Sequence, residues 1–133
     1  MFEAMKKVYL IDDDDIFVFL TKKTILKVSD NVDVEVFSDG YQAITHLKEI
    51  AHNREALPDV IFLDLNMPVM DGWEFLAEYG ELRTSLARET QLYIVSSSIS
   101  PHEMERSNNI EAVSAFIIKP LVKERFLEIL QGL

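Results

Sequence analysis

Two apolar runs end abruptly in carboxylates: Val8-Tyr9-Leu10-Ile11 gives way to Asp12-Asp13-Asp14-Asp15, and Val60-Ile61-Phe62-Leu63 gives way to Asp64. Runs of this length bounded by polar residues read as buried strands. In open α/β sheets ligands bind in the crevice outside the carboxyl ends of parallel strands, so these acids fall where chemistry is expected. A folded chain rarely gathers so much like charge without a counterion. The two strand ends together read as a divalent cation site.

The rest of the chain has the rhythm that such a sheet requires. Strands are expected at Lys7–Ile11, Val32–Phe37, Val60–Leu63, Gln91–Val95 and Ser114–Ile118, each short and rich in β-branched or aromatic residues. Segments of helical length lie between them. The first spans about Asp15 to Val28, with Asp14 and Asp15 suited to its amino terminus. The second starts near Asp39, with Ala43, Ile44 and Leu47 at helical spacing. The third begins at Asp71-Gly72, capped by Asp71, with Trp73, Leu76 and Ala77 on one stripe and Gly80 blurring its far end. A fourth runs from about Pro101 to Asn109, and the last from Leu121 to Leu130, with Val122, Phe126, Ile129 and Leu130 on one face. Strands alternating with helices imply right-handed crossovers and a doubly wound, flavodoxin-like α/β fold with five parallel strands in the order 2-1-3-4-5. That order brings Asp12, Asp13 and Asp64 into one cleft.

Composition narrows the functions available. At 133 residues the chain reads as one domain, without linkers or repeats, and no room is expected for an output domain beyond the fifth helix. A net charge of −10 would repel phosphate backbones and anionic lipids, so neither nucleic acid nor membrane is an expected partner. The absence of cysteine excludes disulfides, thiol catalysis and cysteine-ligated zinc. The amino terminus carries no apolar stretch long enough for a signal peptide or membrane span, and a cytoplasmic protein is expected. His46, His52 and His102 share no ligand spacing and are expected at the surface.

Four motifs in order, each at a strand end, carry a family resemblance: Leu10-Ile11-Asp12-Asp13, Asp64-Leu65-Asn66-Met67-Pro68 with Met70-Asp71-Gly72, Val95-Ser96-Ser97, and Ile118-Lys119-Pro120. From about Lys6 to Leu130 the chain resembles the receiver domain of two-component response regulators. The resemblance implies that Asp64 accepts a phosphoryl group from a phosphohistidine on a sensor kinase or histidine phosphotransfer protein, with Mg²⁺ as cofactor. It further implies that Asp13 and Asp64 bind the metal directly, Asp12 through a water, and Asn66 through its backbone carbonyl. Lys119 would pair with the phosphoryl group, Ser96 would be the switch hydroxyl, and the Lys119–Pro120 bond would be cis.

The chemistry of these residues agrees with those roles. Mg²⁺ takes hard oxygen ligands in octahedral geometry and keeps several waters, a demand met by carboxylates and one carbonyl. Without a cation, a phosphorylated Asp64 would repel each neighbouring carboxylate by roughly 4 kcal/mol at 4 Å and an effective dielectric of 20. The domain is expected to signal by phosphorylation-dependent protein binding, through Ser96 and Phe116, on the face of the fourth helix, fifth strand and fifth helix. A downstream target, a second copy of the chain or a downstream phosphotransfer protein is the expected partner there. It is not expected to be an enzyme in the ordinary sense, although it would promote its own phosphorylation and dephosphorylation.

Departures from the family pattern are specific. Phe116 stands where many receivers carry tyrosine, so the aromatic can swing but cannot form the hydroxyl contact. Ser114-Ala115 replaces the common glycine before it. Ile16-Phe17-Val18-Phe19-Leu20 is too continuous for a single buried stripe. If Phe17 and Leu20 face the core, Ile16 and Phe19 lean outward and form an apolar edge to dock the helix bearing the donor histidine. Two alternatives stay open. An aspartyl-phosphate hydrolase of the haloacid dehalogenase type would need a second acid that Asp64-Leu65-Asn66 lacks. A receiver-like module that binds partners without phosphorylation would need no metal site.

Overall fold

A computed structural model describes residues 5–133 of the chain. All five expected strands form, as β1 (Lys6–Ile11), β2 (Val32–Phe37), β3 (Val60–Leu63), β4 (Gln91–Ser96) and β5 (Ala115–Ile118). They make one sheet in the order β2-β1-β3-β4-β5, parallel at every pairing. Between and after them run α1 (Asp15–Val28), α2 (Gly40–Glu49), α3 (Gly72–Leu82), α4 (Pro101–Asn108) and α5 (Lys123–Gln131), with a short 3-10 turn at Arg83–Ser85. This is the doubly wound, flavodoxin-like topology that the alternating pattern requires.

Because successive strand residues point to opposite faces, the apolar runs feed two cores at once. Tyr9, Ile11, Ile61, Leu63 and Ile94 pack with Ile44, Leu47, Phe75 and Tyr79 under α2 and α3. Val8, Leu10, Val60, Phe62 and Val95 pack with Ile25, Phe126 and Ile129 under α1 and α5. All four residues of β3 are buried, and each such side chain contributes roughly 1.5–3 kcal/mol. A strand covered on both faces cannot slip by one residue without losing that burial.

The helix starts are fixed by short polar side chains. Asp14 accepts from the Ile16 and Phe17 amides at 3.1 Å each, and Asp39 accepts from the Gln42 amide at 2.8 Å. Asp71 and Glu74 form a reciprocal capping box at 2.9 and 3.2 Å. Ser100 caps α4, and Pro101 occupies the first helical position, where its missing N–H costs nothing.

Several expectations need correction in detail. Leu20 is 56% exposed, and Thr21 takes the buried place beside Phe17 and Ile25. The buried stripe of α3 is Phe75, Leu76 and Tyr79; Trp73 is half-buried and Ala77 exposed. α3 runs through Gly80 without interruption. α5 begins two residues later than expected, so Val122 is an exposed cap residue and Leu121 is buried before the helix starts. His46 is half-buried rather than at the surface, with ring centroids 6.0 Å from Tyr9 and 5.4 Å from Phe37.

Candidate functional site

The sheet register assembles the cleft. Ile11 pairs with Leu63, Leu63 with Ile94, and Ser96 with Ile118, so Asp12, Asp64 and Lys119 each step off a strand end at the same edge of the sheet, where buried Ser96 ends β4. Backbone bonds continue the ladder into these residues. The Asp12 amide donates to the Phe37 carbonyl at 3.0 Å, Asp64 to Ile11 at 2.9 Å, and Lys119 to Ser96 at 2.8 Å. The carboxylates are therefore carried on rigid backbone rather than on free loops.

Asp12, Asp13 and Asp64 each offer a carboxylate oxygen, and these oxygens lie within 4.8 Å of one another. Asp12 and Asp64 are buried, while Asp13 is exposed. Lys119 Nζ approaches Asp12 Oδ2 at 3.0 Å and Asp64 Oδ1 at 3.7 Å. Burial pushes the Asp64 carboxyl up to about 6; the nearby Asp12 charge adds to the rise and Lys119 opposes it. Asp12 is also raised, by burial first, against the Asp14 amide at 2.9 Å and the lysine. Three acids with one facing lysine are short of positive charge. A hard, oxygen-seeking divalent cation fits this donor set in both charge and ligand type.

Other expected site residues fall as follows. Ser96 is fully buried, and its Oγ accepts from the Ser98 amide at 3.1 Å. Phe116 is half-buried against the core under α3, and the Lys119–Pro120 bond is cis. Asn66 is exposed in the loop after Asp64. Ile16 and Phe19 are 72% and 56% exposed on α1, and Lys23 lies over the Phe19 ring at 4.7 Å.

Two residues of the site escaped the sequence reading. The Phe17 ring lies 4.2 Å from Lys119 Nζ, a cation–π contact that holds the lysine head in addition to the acids. No local signal marks it, because the partners lie in α1 and at the end of β5. Gly72 is the second: a Cβ there would stand 2.5 Å from the Asp64 carbonyl oxygen and 2.7 Å from Leu65 Cα. The Gly72 amide instead donates to the Leu65 carbonyl at 2.9 Å, so α3 begins in direct contact with the Asp64 loop. The Asp-Gly pair in the sequence signalled a cap and turn, not this close approach.

A doubly wound sheet that sets strand-end acids against one lysine has the architecture of a two-component receiver. The chain belongs to the response regulator receiver domain family, whose model matches residues 8–131. Among curated relatives, the Listeria monocytogenes chemotaxis protein CheY is 30% identical over 123 residues, covering 92% of this chain and 93% of the relative. A two-component response regulator of known structure from Cytophaga hutchinsonii superposes with a TM-score of 0.85 at 27% identity, covering 98% of this chain and 97% of that one. The phosphorylated cyanobacterial phytochrome response regulator RcpA superposes at 0.75 with 28% identity, covering 97% and 91%. Receivers of this kind are not enzymes in the ordinary sense, and their acidic cleft is a divalent metal site. Among the described residues no helix is long and apolar enough to cross a membrane.

Proposed function

We propose that Asp64 accepts a phosphoryl group from a phosphohistidine of a sensor kinase or histidine phosphotransfer protein, and that the modified chain signals by binding another protein. The observation that carries this reading is the setting of Asp64: a buried carboxylate within 4.8 Å of two others, with Lys119 Nζ 3.7 Å away. In the transfer, an Asp64 carboxylate oxygen attacks phosphorus in line with the leaving imidazole. The O–P bond forms, the N–P bond breaks, and its electron pair returns to the imidazole nitrogen, which leaves as a neutral ring once protonated. Water attack on the acyl phosphate reverses the modification and releases inorganic phosphate.

Little covalent machinery is needed beyond a positioned nucleophile and cations over the equatorial oxygens. Mg²⁺, held by Asp13, Asp64 and the Asn66 carbonyl with Asp12 through water, would neutralise the phosphoryl charge when bound. Lys119 complements it as a point cation, oriented by Phe17. The Ser96 hydroxyl donates to a phosphoryl oxygen, and Phe116 follows it, changing the face formed by α4, β5 and α5. That face would meet a downstream target or a second copy of the chain. The charge of −10 supports a role among proteins rather than on nucleic acid or membrane, and a cytoplasmic setting belongs to the same proposal.

Ile16 and Phe19 are exposed on α1, the helix whose Phe17 meets Lys119, and they are proposed to dock the helix bearing the donor histidine. Phe19→Ser is expected to slow transfer from the kinase while sparing phosphorylation by acetyl phosphate. Equal loss with both donors would refute the docking role. The test of the function itself is intact mass after incubation with acetyl phosphate and Mg²⁺. One phosphoryl adduct, absent in Asp64→Ala and in a chelated control, is the expected result. No adduct, together with no Mg²⁺ binding, would favour a module that binds partners without phosphorylation.

A further inference from the structure

The loop joining β4 to α4 reads Ser96-Ser97-Ser98-Ile99-Ser100, and its alternate serines are linked in series. The Ser98 amide donates to Ser96 Oγ at 3.1 Å, the Ser100 amide to Ser98 Oγ at 3.2 Å, and the Glu103 amide to Ser100 Oγ at 3.4 Å. Ser98 and Ser100 therefore each accept at the hydroxyl oxygen and donate through the backbone N–H to the serine two positions earlier, and Ser96 ends the series as an acceptor. The last rung is the cap of α4, since Glu103 is its third residue and the amide there has no intrahelical partner.

Ser96 is fully buried, and one lone pair of its oxygen accepts from the Ser98 amide, which leaves its hydroxyl proton available to donate elsewhere. The ladder thus presents Ser96 as a donor. Moving its oxygen toward an acceptor on Asp64 strains the first rung, shifts the Ser98 backbone, and re-aims the hydroxyl that holds Ser100. The element at the far end is poorly anchored. α4 has eight residues, and Ser107 is its one buried side chain. A helix that short has little stability of its own, so its cap decides much of its order.

We propose that Ser98 and Ser100 are positioning residues that couple the Ser96 hydroxyl to the amino-terminal cap of α4, so that the state of Asp64 is read at the Glu103 amide. The coupling is a property of the unmodified chain; its use in signalling rests on the reading of Asp64 as phosphoacceptor.

The test is amide exchange at Glu103, followed by NMR in the wild type, Ser96→Ala, Ser98→Ala and the double variant. Each single change should speed exchange about fivefold, equivalent to one neutral hydrogen bond of about 1 kcal/mol. The double variant should be no faster than either single one, because a series connection is broken once. Ser98→Thr should restore the wild-type rate. Additive effects, or no response of Glu103 to Ser96→Ala, overturn the proposal. With acetyl phosphate and Mg²⁺, the shift of the Glu103 amide, normalised to the phosphorylated fraction by mass, should disappear in Ser98→Ala and return in Ser98→Thr. An equal shift in Ser98→Ala overturns the proposal. A missing adduct at Asp64 counts against the phosphoacceptor reading, and the exchange cycle in the unmodified protein still decides the ladder.

Discussion

Lys119 Nζ stands closer to Asp12, at 3.0 Å, than to Asp64, at 3.7 Å. Without a metal, one lysine serves as counterion to two buried carboxylates, with the Phe17 ring 4.2 Å from its ammonium. Replacing Lys119 by Met keeps the stem and removes the charge, leaving both acids uncompensated. The metal-free fold should lose about 3 kcal/mol at pH 7, the cost of breaking a buried pair. Urea unfolding at pH 7 and pH 4.5 checks this, and the deficit should shrink at the lower pH as the acids take up protons.

The elevated Asp64 carboxyl fixes the sign of a pH dependence. Its folded value of about 6 lies above the ordinary 3.8, so the folded state binds this proton more tightly than the unfolded chain. Stability of the metal-free protein should therefore rise as pH falls from about 6 toward about 4, and Asp12, raised as well, acts in the same direction. The full effect at Asp64 is at most about 3 kcal/mol. Asp64→Asn should raise the melting temperature at pH 7.5 and flatten this part of the profile. Mg²⁺ should stabilise the wild type at pH 7.5 by mass action and Asp64→Asn much less. An identical pH profile for the two proteins would refute the assignment.

Gly72→Ala should damage both fold and site, because its Cβ would lie 2.5 Å from the Asp64 carbonyl oxygen and this neighbour is backbone. The expected loss is about 2–3 kcal/mol, in the range of overpacked cores. Adduct formation with acetyl phosphate should slow even at temperatures where the variant stays folded. Gly80→Ala, which meets nothing within 4 Å, is the matched control and should be neutral or slightly stabilising.

Val69 is the one described non-glycine residue at positive φ, at 68°, and it is 80% exposed. A β-branched side chain in the left-handed region costs roughly 1–2 kcal/mol, and packing returns little of it here. Val69→Gly should stabilise the fold by about 0.5–1 kcal/mol after the added freedom of glycine in the unfolded chain is subtracted. A fall in melting temperature would show that the exposed valine makes a contact that offsets its strain.

At the opposite end of the sheet, Arg88 Nη1 meets Asp59 Oδ1 at 2.7 Å, its Nη2 donates to the Leu57 carbonyl, and Asp59 Oδ2 accepts from the Lys7 amide at 2.8 Å. Burial raises the Asp59 carboxyl, but the Arg88 and Lys7 bonds outweigh it and the net direction is down. This contribution is present above the ordinary carboxylate range and is lost as pH falls through the lowered value. Arg88→Ala should cost about 2–3 kcal/mol at neutral pH and move the acid-unfolding midpoint upward. Phosphorylation at Asp64 should survive in the folded fraction, because the clamp ties β1, β3 and the approach to β4 at their amino ends.

Much of this molecule was legible before any coordinates. The strands showed because buried parallel strands are continuous apolar runs, and the caps Asp14 and Asp71 showed because short acids before helical spacing have a local job. The faces of α1 and α3 were harder. Ile16 to Leu20 is apolar all round, so periodicity could not tell whether Leu20 or Thr21 turned inward. In α3, the phase is set by the capping box and by Gly72 seated against the Asp64 loop, neither of which alters the hydrophobic pattern.

By itself the sequence determined the strands and their alternation with helices, the acids at the ends of β1 and β3, and the lysine and serine at the ends of β5 and β4, because each depends on residues close together in the chain. Tertiary structure alone decided the Phe17–Lys119 contact, the Asp59–Arg88 clamp and the closeness of Lys119 to Asp12. Those joins span 102, 29 and 107 positions of sequence. Local propensity carries no information about such distances; they are set when two covered faces of one sheet pack and bring remote side chains within ångströms.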